Sequence, residues 1–392
     1  MTVVDLNPYS HAFHDDPFPM YRDLRDNAPC YYNESLGFWA LSRYDDVLAA
    51  LHDPATYCSR HGITLEQDSS LPMLLTTDPP DHTDLRRLVS RAFTPRRVAD
   101  LEADVRELAR GFLEPLLAQG DGDIIAGYAA RLPMDVIARM LGVPEADEES
   151  LRVWTNALLD RDEGVPDVTP AGVDAAINLF KYFSGFVADR RAAIAAGNAH
   201  DDLTTALCAA GDDELSDERV VGFCFLLIIA GNETTTKLLA NCLLALQRFP
   251  GERAKIVNDP GRIPDAVEEI LRYEGSTQLM ARTLTRAVDL HGEHMPEGAK
   301  VLLLLGSANR DERVWVRPDD FDIDRASAVQ HVGFGHGIHV CLGAALARLE
   351  MRVSLEEIFR RIPAYEIDEA GCTRVHSGNV RGWATMPIRC RP

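Results

Sequence analysis

The segment Gly333-Phe334-Gly335-His336-Gly337-Ile338-His339-Val340-Cys341-Leu342-Gly343 concentrates reactive and conformationally free residues. Three glycines precede one cysteine, and an apolar, helix-forming run follows it. Glycine takes positive φ and lets backbone approach a bulky group closely. A thiol where a helix begins has its thiolate stabilised by the helix dipole and free amides. That setting suits a metal-ligating thiolate, and Gly343, one turn on, leaves room for a flat group against the backbone. Two other readings stay open from the residues alone. One is a small buried core cysteine beside a flexible loop. The other is a zinc site made of His336, His339 and Cys341. A dinucleotide loop is excluded, because no strand-then-helix G-x-G-x-x-G is present.

Three further groups could do chemistry. Ala230-Gly231-Asn232-Glu233-Thr234 places an acid beside a threonine inside a long helical pattern from about Asp217 to Phe249. Glycine there costs about 1 kcal/mol relative to alanine, and the carboxylate beside an apolar run needs a partner or water. Glu233 and Lys237, four apart, can form a surface pair. Glu269-Ile270-Leu271-Arg272 sets an acid and a base three apart on one helix face. His82 and Arg86 share a helix face, and Arg282 stands in Ala281-Arg282-Thr283-Leu284. Each of these cations alone reads as a solvated surface charge.

The elements that must hold these groups are mostly helical. Helical patterns run from about Asp81 to Leu271, broken at Gly120–Gly122, Pro144, Gly164–Pro170 and Gly197–Asp202. Short strands are expected around Tyr31–Tyr32 and Phe38–Leu41. Ala287–Leu290 and Lys300–Leu304 are expected to form a hairpin around His-Gly-Glu-His-Met-Pro-Glu-Gly. Residues 60–80 and 309–330 read as irregular, and a last helix as spanning Leu342 to Arg361. The fold class is mainly α with a minor β region, in one large unit over residues 1–392.

Composition narrows the function. Lys plus Arg number 40 against 61 Asp plus Glu, a formal net charge of −21, which argues against a nucleic-acid partner. No basic-then-apolar leader opens the chain. The longest apolar run, Val220 to Ala230, is shorter than the ~20 residues of a membrane helix. The expectation is a cytoplasmic protein without a membrane anchor. The eight cysteines contain no C-x-x-C pair.

Phe334-Gly335-His336-Gly337-Ile338-His339-Val340-Cys341-Leu342-Gly343 resembles the haem-ligand loop of the cytochromes P-450, the haem-thiolate monooxygenases. The other three groups follow in the family's order, so the resemblance extends nearly end to end. It implies a single cytochrome P-450 domain, a small β-rich N-terminal part with a helical haem-binding part. It implies haem b (iron protoporphyrin IX) with Cys341 as the iron ligand, Phe334 and Gly343 in the haem loop, and His82, Arg86, Arg282 and His339 at the haem propionates. Thr234 would hydrogen-bond iron-bound oxygen at a helix kink, Glu233 would relay protons, and Ala230 and Gly231 would leave space over the ring. Glu269, Arg272 and Arg325 would form a structural network. The implied reaction takes O2 and electrons, ultimately from NAD(P)H through a ferredoxin, and inserts one oxygen atom into a hydrophobic small molecule. A peroxide-driven hydroxylase and a non-catalytic haem sensor or carrier are the alternatives.

Two surfaces complete the expectation. Arg87, Arg91, Arg96, Arg97, Arg348 and Arg352 form a basic patch for an acidic ferredoxin. Leu71, Met73, Leu74, Leu75, Phe223, Leu227, Leu279 and Met280 supply apolar surface to substrate, and Gln278 and Asn379 supply polar anchors.

Overall fold

The computed structural model describes residues 5–66, 73–210 and 215–391, the side chains of Arg91 and Arg391 excepted. Leu71 and the Arg91 side chain therefore lie outside the described residues. The chain is built on helices, of which seven position the site: α1 (Asp81–Val89), α2 (Leu132–Leu141), α3 (Glu145–Leu159), α4 (Pro170–Ala195), α5 (Asp217–Arg248), α6 (Ile263–Glu274) and α7 (Ala344–Arg361).

Helix α5 is the axis. Its 32 residues extend about 48 Å at 1.5 Å per residue. Its length and hydropathy would fit a membrane crossing, but 78% of its apolar window is buried inside the protein. A helix apolar all round belongs in the centre of a core. At Gly231 a Cβ would lie 2.7 Å from Ile137 Cγ1 of α2. Glycine here lets two helix backbones cross closely. The expectation that Gly231 keeps space open over a cofactor is corrected: the space it keeps is filled by Ile137.

A five-stranded sheet packs beside the helices in the order β1 (Cys30–Asn33), β2 (Phe38–Leu41), β5 (Lys300–Leu303), β4 (Met280–Leu284), β3 (Tyr57–Cys58). β1 and β2 are the expected antiparallel pair. The hairpin expected between Ala287–Leu290 and Lys300–Leu304 does not form. Val288–Leu290 turns back instead on Glu293–Met295. His291 (φ 53°) and Gly292 (φ 86°) make that two-residue turn, whose twist matches paired strands. β5 pairs parallel with β2 and antiparallel with β4. Val301, Leu302 and Leu303 are fully buried, as a central strand covered on both faces must be.

Candidate active site

The cysteine loop is shaped by two glycines and one hydrogen bond. Gly335 and Gly337 have φ of 65° and 68°, and a Cβ on Gly337 would lie 2.3 Å from the Leu51 carbonyl oxygen. The Cys341 amide donates to the Phe334 carbonyl at 2.9 Å, which closes the loop. Phe334 is clamped by Arg348, whose guanidinium lies 4.7 Å over its ring and pairs with Glu268 at 2.6 Å. Of the eight cysteines, Cys341 alone is exposed. The surrounding protein is nevertheless dense enough for burial to push its thiol up. The Gly343 amide hydrogen bond and the charges of Arg86 and Arg348 pull the other way but do not prevail. Helix α7 begins only at Ala344, so the expected thiolate at a helix start is corrected. The free thiol keeps its proton, and a cation that displaces the proton is what would make it a thiolate. A Cβ on Gly343 would meet no protein atom within 4 Å.

Four donors converge from three parts of the chain. His82 and Arg86 come from α1, Arg282 from β4 and His339 from the cysteine loop. The His82 and His339 rings lie 4.3 Å apart. Among the described residues His82 Nε2 and His339 Nδ1 are buried without partners, and His339 Nε2 lies 3.2 Å from Ser59 Oγ. Burial, then the neighbouring cations Arg282, His82 and Arg86, hold His339 down at about 3. Burial lowers His82 and Arg86, and lowers Arg282 to about 10. The Arg282 side chain bonds its neighbour's Ala281 carbonyl at 2.7 Å. Asp78 is the acid facing Arg282, but it is held by Arg60 at 3.0 Å and by the Ser59 amide at 2.8 Å. Cations and orphaned imidazole nitrogens gathered this tightly fit a group carrying two carboxylates, as haem does. The zinc alternative fares worse: among the described residues no three His, Cys, Asp or Glu side chains converge on one ion.

The acid–threonine motif departs from expectation. The motif lies inside α5, which is assigned as one continuous helix. Thr234 Oγ1 donates to the Ala230 carbonyl one turn back at 2.7 Å, and Thr236 Oγ1 to the Asn232 carbonyl at 2.9 Å. Hydroxyls that bond back to the i−4 carbonyl tend to bend a helix slightly. Glu233 pairs with Lys237 at 3.1 Å, and both are buried rather than on the surface. Ala230 is exposed although it lies in a core helix. The turn after α3 reaches this motif, because Glu233 and Lys237 act on the Asp160 carboxyl, which burial above all pushes up.

Glu269 and Arg272 form a fully buried bidentate pair at 2.7 and 2.8 Å. Arg325 Nε reaches Glu269 at 3.1 Å. Arg272 also donates to the carbonyls of Asn309, Pro318 and Asp320. The network therefore fastens the irregular segment 309–330 to α6.

Other expectations change. Arg352 is held by Glu102 (2.6 Å) and Glu356 (2.9 Å), and Arg348 by Glu268, so neither is a free cation of the basic patch. Arg96 and Arg97 are exposed, and no acid among the described residues pairs with them. Gln278 is not a free polar anchor: it donates to the Gly275 carbonyl at 2.7 Å and accepts from Tyr21 Oη at 3.4 Å. Phe223, Leu279 and Leu74 are buried in apolar clusters. Sequence reasoning missed Glu350 on α7. Its carboxyl hydrogen-bonds Thr235, and burial pushes it up to about 8. Only its tertiary burial distinguishes it from an ordinary helix glutamate.

Comparison with known proteins identifies the family. Residues 263–364 match the family model "Cytochrome P450". The chain is 46% identical to cytochrome P450 123 of Mycobacterium tuberculosis, over 98% of this chain and 96% of that one. It is 36% identical to cytochrome P450 monooxygenase PikC of Streptomyces venezuelae, over 99% and 94%. The crystal structure of CYP109E1 from Bacillus megaterium in complex with testosterone superposes with a TM-score of 0.89 at 30% identity, over 96% of this chain and 98% of that one. The chain therefore belongs to the cytochrome P450 family and is an oxidoreductase that incorporates oxygen.

Proposed function

We propose that the protein is an O2-dependent monooxygenase of a hydrophobic, medium-sized small molecule. The observation that carries this reading is the convergence of His82, Arg86, Arg282 and His339 beside the Cys341 loop, a donor set without its own carboxylates. Cys341 would hold the iron of haem b, and the four donors its propionates. Bound there, the haem supplies oxygen activation, favoured by the electron donation of a thiolate ligand. The chain's own work is proton handling and positioning. Thr234 Oγ1, which donates to the Ala230 carbonyl at 2.7 Å, would turn from it to present its hydroxyl proton on the oxygen-binding side of α5. Glu233, released from Lys237, passes protons from the Asp160 turn toward it. Glu269, Arg272 and Arg325 hold segment 309–330 in place beneath the loop.

Electrons would come from NAD(P)H through an acidic ferredoxin-like donor, and exposed Arg96 and Arg97 support docking near the Cys341 side. Free cysteines throughout suit a reducing, cytoplasmic setting. Related structures hold testosterone and erythromycin B, which supports a medium-sized, largely apolar substrate. Met73, Leu75, Leu227, Met280 and Asn379 remain candidate contacts. The test is the CO-difference spectrum of the reduced protein. Wild type should give the thiolate-ligand band, Cys341→Ser should lose it, and each other Cys→Ala variant should keep it. A normal band in Cys341→Ser would refute the assignment. Turnover with peroxide alone equal to turnover with ferredoxin and reductase would refute the O2-dependent route.

A further inference from the structure

Helix α4 is apolar on two opposite faces. Inward, Leu179, Phe183 and Val187 are buried in the core. Outward, Val173, Ile177 and Phe180 are 48%, 46% and 44% exposed. Their i, i+4, i+7 spacing stacks them along one side of the helix. Ser184 and exposed Ala188 continue the same line. Ser184 Oγ donates to the Phe180 carbonyl at 2.7 Å, so its polar atom is turned back onto the helix. The stripe from Val173 to Ala188 extends about 22 Å at 1.5 Å per residue. A contiguous exposed apolar patch marks a surface that something covers.

The charges beside the stripe indicate what covers it. Between Pro170 and Ala188 the helix carries two charges, Asp174 and Lys181. Both are exposed, and among the described residues neither is held by an ion pair or a hydrogen bond. Seven residues make almost two full turns, so the two stand on one edge of the stripe. They are equally far from the midpoint between Ile177 and Asn178. A second α4 laid antiparallel on the stripe, related by a two-fold axis at that midpoint, sets each Asp174 against the other copy's Lys181. A two-fold interface needs such a self-complementary patch. The chain as a whole carries −21, which repels both its own copies and anionic surfaces. This stretch of α4 is locally neutral, so two copies can approach there.

We propose that the outer face of α4 is a self-association surface, on which two copies of this chain pair their α4 helices antiparallel into a two-fold dimer. Val173, Ile177 and Phe180 form its apolar centre, and Asp174 and Lys181 fix its register. A contact about 22 Å long on a helix about 10 Å wide falls well short of the ~800 Å² per partner of a standard interface. The dimer is therefore weak and reversible, with a dissociation constant on the order of 100 µM.

The test is sedimentation equilibrium of the haem-loaded protein at concentrations up to about 1 mM. Wild type should distribute between monomer and dimer, and Ile177→Asp should stay monomeric throughout. Lys181→Glu sets like charges across the axis twice and should weaken association at least about tenfold. Asp174→Lys combined with Lys181→Asp restores opposite charges in reversed order, and should return association to within about threefold of wild type. The three substituted side chains are exposed, so an unchanged circular dichroism spectrum should show every variant folded. A wild type that stays monomeric would overturn the proposal. So would a dimer that persists in Ile177→Asp, because the contact would then lie elsewhere. Loss in Lys181→Glu without recovery in the double reversal would overturn the antiparallel pairing. Pelleting of monomeric wild type, but not of Ile177→Asp, with phosphatidylcholine–phosphatidylglycerol vesicles would assign the stripe to a lipid surface and overturn the dimer.

Discussion

Arg282→Gln tests the carboxylate-binding reading by a quantity the structure supplies. Arg282 is 4% exposed, and burial lowers its guanidinium well below its free value, to about 10, outweighing Asp78 and Cys58. A base whose folded value lies below its free value is a cation that the fold disfavours at every pH below that value. At about 1.4 kcal/mol per unit, the opposition comes to roughly 3 kcal/mol near neutrality. No acid among the described residues forms an ion pair with Arg282, so a bound dianion would meet an unpaired buried cation and could recover up to that amount. A group that contributes about 3 kcal/mol to retention slows its own loss roughly 100-fold. The variant should therefore release haem to excess apomyoglobin about two orders of magnitude faster than wild type. The CO band of the fraction still loaded should stay unchanged, because Cys341 is untouched. A release rate within twofold of wild type would refute the reasoning. It would mean that Arg282 is neutralised by the chain itself.

Thr234→Ala should leave ligand binding and haem reduction near wild type while product formed per NAD(P)H consumed falls about tenfold, with peroxide as the by-product, because the hydroxyl serves proton delivery rather than affinity; wild-type coupling would reduce Thr234 to a helix residue. Glu269→Gln leaves Arg272 and Arg325 buried without their counter-charge and should lower unfolding free energy by ~3–5 kcal/mol, read as a lower urea midpoint at constant slope; a loss below ~1 kcal/mol would show the network is dispensable. His14 is held down to about 4 by burial, then by the charges of His376, Arg381 and His11. The unfolded chain thus takes up the proton first, so stability present above pH 6.5 should fall as pH drops toward about 4, by up to ~3 kcal/mol. His14→Gln should flatten that pH profile, and an unchanged slope would assign the acid sensitivity elsewhere.

The legible part of this protein is the part written in local order. Glycine, cysteine and histidine spacing marks residues 333–343 as a site because positive φ at Gly335 and Gly337 is a backbone requirement that only sequence-adjacent residues meet. The Glu269–Arg272 pair is legible because three residues span less than one helical turn. The β1–β2 hairpin and the helices from Asp81 onward follow from periodicity for the same reason. Tertiary structure decided what each neighbour is. Gly231 looks like open space in sequence but packs on Ile137, and Arg352 looks free but meets Glu102 from 250 positions away. Lys300–Leu303 is apolar enough for any strand, and only burial on both faces makes it the centre of the sheet. The buried pair of Glu66 and Arg161, the buried carboxyl of Glu350 and the orphaned nitrogens of His82 and His339 have no sequence signal at all. Burial and electrostatics depend on distance through space, and a sequence records only distance along the chain.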